Sequence, residues 1–265
     1  MRMSKLFGAL TVAVTLATSV APITANAAVT TAFSPGDLIK GSGQTVYYFG
    51  WDGHRYVFPN EKTYFSWYKD FSTVKQIPDT MLQTLPLGRR NVTYRPGFKM
   101  VKVTTDPRTY VIDEGGILRY VPSEEMAQTL YGLAWKNQID DLPDAFYADY
   151  KSGTPLVTSS DFTPADIMTQ TTTIAKDKQM DETAVTVSIG SKENGFVPPS
   201  LTVKKGTLVT WTNTDSSLHS IVGDGWQSQE LKYQDSYQKV FSTVGSYSYH
   251  CGIHPVMTGT INVIE

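Results

Sequence analysis

Cysteine occurs once in these 265 residues and histidine four times, and neither charge is in surplus. One thiol cannot form an intramolecular disulfide, so the chain is not a cystine-stapled scaffold. With 23 basic against 25 acidic residues the formal net charge is -2, which supplies neither the basic field that binds nucleic acid nor a polybasic patch for anionic lipid. No nucleic-acid partner is expected. Long apolar runs are equally scarce. The one near the N-terminus, residues 6–20, is shorter than the ~20 residues that cross a bilayer, and no later segment approaches that length.

The flanks of that run give it a meaning. Arg2 and Lys5 are the only charges before Asp37, and Ala25-Asn26-Ala27 puts small residues where a signal peptidase reads. Residues 1–27 are therefore expected to be a cleaved signal peptide, with retention as an anchor the alternative. Without Arg2 and Lys5 the mature chain holds 21 basic and 25 acidic residues, a net charge of -4, and no membrane span. An exported location follows, periplasmic or at the extracellular face of the cell. A free thiol there is open to oxidation or mispairing, so something should occupy it. A metal does so by holding the sulfur as a shielded thiolate.

The surroundings of the thiol agree. Tyr247-Ser248-Tyr249-His250-Cys251-Gly252-Ile253-His254-Pro255-Val256-Met257 sets a histidine three positions after the cysteine and a methionine three after that. A further imidazole stands upstream at His219. Thiolate, imidazole and thioether are soft or borderline donors that suit copper rather than magnesium or calcium. Two His, one Cys and a weak axial Met make up the ligand list of a blue-copper electron-transfer site.

Between residues 33 and 152 the chain is aromatic-rich and carries a degenerate repeat. Arg55-Tyr56-Val57 returns as Arg119-Tyr120-Val121 after 64 residues, and Ile77-Pro78-Asp79 as Leu142-Pro143-Asp144 after 65. Two copies of one supersecondary unit are expected. In each, a hairpin turns at Trp51-Asp52-Gly53 or Glu114-Gly115-Gly116. A helix then begins at the N-caps Asn60 and Ser123. The aromatic stripe Tyr64, Trp67, Tyr68 and Phe71, and its counterpart Met126, Leu130, Leu133 and Trp135, recur at helical spacing and should face a core, a glycan-binding platform being the alternative. His54, in a hairpin turn, is read as a surface residue. The region resembles a repeat module of secreted bacterial proteins, which implies contact with the cell envelope and no activity. Residues 153–182 are rich in Thr, Ser, Pro and charge, the composition of a solvated linker.

The last 83 residues, 183–265, read as short strands with no helix, at the spacing of a β-sandwich. Alternation along a strand puts Tyr247, Tyr249 and Cys251 on one face and His250 on the other, so His250 is rejected as a ligand. Val209 and Trp211 should pack inward ahead of His219, which is expected to come from the opposing sheet. The Val209-x-Trp211-x-Asn213 run, the Gly245-x-Tyr247-x-Tyr249-x-Cys251 strand, the Cys251-x-x-His254-x-x-Met257 loop and the Met257-x-Gly259 ending resemble the cupredoxins. The short loop is most similar to that of amicyanin- and plastocyanin-like blue copper proteins. The resemblance implies an all-β Greek-key sandwich here, and the duplicated region ahead of it is expected to be a small α+β domain of two hairpin-helix repeats. The resemblance also implies one type 1 copper ion held by His219, Cys251 and His254, with Met257 as the long axial ligand.

The expected function is that of an exported carrier of single electrons and not an enzyme, with copper cycling between Cu(I) and Cu(II). A redox protein would dock on an apolar patch of Gly252, Ile253, Pro255 and Val256 around His254. Two alternatives stand beside it: an extracytoplasmic copper carrier or buffer, and a surface-binding module in which the repeats are the active part.

Overall fold

The computed structural model describes residues 28–265; the signal-peptide expectation for residues 1–27 lies outside them. Ahead of the C-terminal part, β1 (Leu38–Lys40), β2 (Tyr47–Phe49) and β3 (Arg55–Val57) form an antiparallel meander, followed by α1 (Glu61–Trp67), β4 (Val74–Gln76) and α2 (Asp79–Thr84). β4 returns parallel to β1, giving the sheet order β3-β2-β1-β4. The second stretch repeats this order of elements. β5 (Met100–Val103), β6 (Thr109–Asp113) and β7 (Ile117–Tyr120) form the meander, α3 (Glu124–Tyr131) follows, and β8 (Ile139–Leu142) pairs parallel to β5. A short β9 (Lys151–Ser152) extends that sheet beside β7.

Both helices start where the caps require. The Asn60 side chain accepts a hydrogen bond from the Thr63 N–H and Ser123 from the Met126 N–H, satisfying donors that the first helical turn leaves free. The stripe expected to face a core divides. Tyr64 is fully buried against Phe58, and Trp67 and Tyr68 are half-buried beside it. Phe71 and Leu133 are exposed, because α1 ends at Trp67 and α3 at Tyr131, where Gly132 at φ +78° turns the chain out of the helix.

The segment expected to be a solvated linker is instead ordered against the preceding sheets. Leu156 and Phe162 enter the core beside Met100, Val111 and Val121. α4 (Pro164–Gln170) follows, and then α5 (Ile174–Asp177) buries Ile174 and Ala175 against Leu38, Tyr48 and Tyr56. Its Ser, Thr and Pro content is polar on average, but these few apolar anchors sit where the cores are open, and each fully buried Leu, Ile or Phe contributes ~1.5–3 kcal/mol.

From residue 184 onward the chain is a sandwich without helices. One sheet runs β11 (Phe196–Val197), β10 (Ala184–Ile189), β13 (Leu208–Asn213), β16 (Ser236–Val240). The other runs β12 (Ser200–Lys204), β18 (Thr258–Ile264), β17 (Gly245–His250), β14 (Val222–Gly223), β15 (Trp226–Gln227). Period-two alternation explains the inner faces: Val209, Trp211 and Asn213 of β13 are buried, as are Ile261 and Val263 of β18. Trp51 and Val197 join this core to the rest. Trp51, in the first hairpin turn, packs against both the sandwich core and the core of the first sheet, while Val197 of β11 is buried with Phe33, Ile39 and Phe49.

Candidate metal centre

Cys251 follows the last residue of β17 and is completely buried, inward like Tyr249 two positions before it. His250 lies between them on the opposite face, half-buried, and pairs with Val222 of β14. The alternation that rejected it is observed.

His219 reaches the same spot by a route that departs from expectation. It is not part of a strand of the opposing sheet. The chain leaves β13 at Asn213, turns through residues 214–218, and crosses to the sheet of β17, where β14 begins at Val222. Asn213, fully buried, holds the turn: its amide donates to the carbonyls of Ser217 (2.8 Å) and Leu231 (2.9 Å), and its carbonyl accepts from the Asp215 N–H (2.9 Å). His219 itself makes an isolated bridge with Leu231. The crossing brings the next residue against the thiol, so that the Ser220 N–H points at Cys251 Sγ at 3.5 Å.

His254 comes from the tight loop after Cys251. The Cys251 N–H donates to the Met257 carbonyl (3.0 Å) and the Met257 N–H to the His254 carbonyl (2.9 Å), closing the loop on itself. Gly252 fits because of a close approach: a β-carbon there would lie 2.7 Å from Ser220 Oγ. The His254 N–H is the second backbone donor to the sulfur, at 3.4 Å. Met257 is buried at the loop's end, in the same cluster as Cys251.

The result is a convergence of donors. Cys251 Sγ lies 3.7 Å from His219 Nδ1 and 3.8 Å from His254 Nδ1, the three ligand atoms fall within 4.8 Å of one another, and the two imidazole rings are 4.9 Å apart. Of the described residues that offer His, Cys or carboxylate donors, only these three form such a group. A space bounded by one sulfur and two ring nitrogens, with two N–H groups directed at the sulfur, fits a borderline-soft cation that prefers thiolate and imidazole.

Sequence reasoning missed Asp215. Its carboxylate lies 3.3 Å from His219 Nε2. A proton on Nε2 donates to that carboxylate, and Nδ1 is left as the lone-pair nitrogen facing the thiol. Burial holds the His219 imidazole below the ordinary histidine range, against the upward pull of Asp215, and the nearby His254 adds to the lowering. The signal was present four residues before the histidine, in the Asn213-Thr214-Asp215 turn, but turn residues of this kind are common for purely local reasons.

Around His254, itself half-buried, the surface is apolar. Val256 is 80% exposed, and Ile253 and Pro255 are also open to solvent.

The family model of the cupredoxin-like domain matches residues 162–263. A plastocyanin of Scenedesmus fuscus is 36% identical over 96 residues, which cover 30% of this chain and 98% of that protein. An amicyanin of Paracoccus versutus is 31% identical over 90 residues, covering 31% of this chain and 68% of that one. Among solved structures, a purple cupredoxin from Nitrosopumilus maritimus is 30% identical with a TM-score of 0.28, over 30% of this chain and 98% of that one.

Proposed function

Because this chain belongs to the cupredoxin family through its C-terminal part, we propose that it is an exported carrier of single electrons that holds one type 1 copper ion on His219, Cys251, His254 and Met257. The observation that carries this reading is the meeting of one buried thiol and two imidazole Nδ1 atoms at 3.7 and 3.8 Å. Bound there, copper would supply a one-electron couple between Cu(I) and Cu(II).

The protein's own residues do the rest. Asp215 fixes the tautomer and tilt of His219, the Ser220 and His254 N–H groups hold the sulfur in place, and the Cys251–Met257 backbone pairing fixes the span of the loop. Donors held in this way move little when the charge at the site changes by one, which keeps the exchange of an electron fast. His254, flanked by Gly252, Ile253, Pro255 and Val256, would be the port where a redox protein docks through a small, transient interface.

In the same reading, residues 33–152 are a duplicated hairpin-helix unit in contact with the cell envelope, residues 153–182 connect it, and residues 183–265 form the copper domain. No helix among the described residues is long and apolar enough to cross a membrane.

The test is to add Cu(II) to the purified protein and record its visible spectrum. An intense thiolate-to-copper band should saturate at one equivalent and be absent from Cys251→Ser. A band that survives in Cys251→Ser would overturn the ligand set.

A further inference from the structure

Where the first hairpin, the end of the second sheet and β10 meet, the surface opens into a cleft of about 970 Å³. Four carboxylates line it, and each is already engaged. Asp52 accepts from the Tyr56 hydroxyl and lies against His54; Asp149 accepts from the Asn91 backbone and side-chain N–H groups; Asp177 from the Thr93 hydroxyl and the Gly115 N–H; Asp181 from the Thr183 N–H.

The cations divide differently. Lys178 is half-buried, lies over the Tyr56 ring at 4.4 Å and donates to the carbonyls of Arg90 (3.2 Å) and Asn91 (2.9 Å). Arg89, Arg90 and Lys151 also line the cleft, and their charged groups make no ion pair or hydrogen bond among the described residues. The strong donors left over in the cleft are therefore positive. The acceptors left over are the remaining lone pairs of carboxylates, each of which has about four acceptor sites. A bare anion would be attracted by the first set and repelled by the second. A molecule with many hydroxyls and few acidic groups satisfies both. Trp51, half-buried at the edge of the cleft, supplies apolar surface for the carbon side of a sugar ring, and the volume is in the ~300–1,000 Å³ range of small-molecule sites.

We propose that this cleft binds an acidic saccharide, with the hydroxyls on the carboxylates and the acidic group on Arg89, Arg90 and Lys151. The acid is either a uronate carboxylate or a sugar phosphate.

Calorimetric titration of the full mature chain decides it, using digalacturonate and glucose 6-phosphate as probes and maltose as the neutral control. Saturable binding of digalacturonate assigns the carboxylate, and of glucose 6-phosphate alone the phosphate. In either case the affinity should fall at least about tenfold in the triple variant Arg89→Gln, Arg90→Gln, Lys151→Gln, and maltose should bind at least about tenfold more weakly than the acidic probe, each being ~1.4 kcal/mol. All three side chains are solvent-exposed, so the variant keeps the fold, as its circular dichroism should show. Failure of both acidic probes to saturate, equal binding by the triple variant, or equal binding of maltose would each overturn the proposal.

Discussion

Only one nitrogen of His219 faces the thiol, and a carboxylate decides which. A Cys-x-x-His-x-x-Met loop can be written without any reference to Asp215, yet the tautomer that presents Nδ1 to the site depends on the 3.3 Å contact at Nε2. Replacing Asp215 with Ala should leave the sandwich intact and weaken copper binding about 10- to 100-fold, the usual cost of removing such a partner. A competitive chelator titration would read this, and an unchanged affinity would reduce Asp215 to a turn residue. The same imidazole sets a pH dependence. Burial lowers its proton affinity in the fold, so below the ordinary histidine value of about 6.5 the unfolded chain takes up a proton that the native state resists. The contribution to metal-free stability is therefore complete above that value and is lost as pH falls. The urea midpoint should drop between about pH 7 and pH 5 by more in the wild type than in His219→Gln; equal drops would locate the effect elsewhere.

Among the elements, those that carry the candidate ligands were the most legible. The alternation in Val209 and Trp211 and in Tyr249 and Cys251 was visible because each strand has one face buried and the other turned outward, and it rejected His250 on the pattern alone. The strands β1, β4, β5 and β8 left no such trace. They are three or four residues long, and Leu38–Lys40 and Met100–Val103 bury adjacent positions on both faces, so no period can emerge. Residues 153–182 were misread for the opposite reason. Their composition is that of a tether, and three or four anchoring side chains do not alter an average. The crossing of residues 214–218 between sheets depends on Asn213, whose burial a sequence does not disclose. The loop of residues 252–256 was better placed: Gly and Pro announced the turn, and Val256 stands at its rim. A Val256→Glu substitution puts a charge in the apolar patch without touching a ligand. Electron exchange with a redox partner should slow by roughly tenfold, equivalent to ~1.4 kcal/mol, while the absorption spectrum stays unchanged. Stopped-flow rates equal to wild type would move the port elsewhere.

At the scale of the whole molecule, Trp51 and Val197 are where separate cores become continuous. Trp51 contributes to two of them, and its carbonyl accepts from the Thr186 N–H of β10 at 3.1 Å. Since Trp51 is only half-buried, Trp51→Ala should cost roughly 2–3 kcal/mol, less than the ~3–5 of a fully enclosed aromatic. The more telling readout is calorimetric: one melting transition in the wild type should separate into two in the variant, and a single sharp transition in both would mean that Val197 suffices. An aromatic ring shared in this way acts as a weld. Were a surface to hold residues 33–152, it would also set the heading of the trailing sandwich, and with it the compass direction of the His254 edge. A carrier held that way would not sweep through solution in search of its mate; it would wait at a set bearing, like a terminal bolted to a chassis, for mobile partners to arrive.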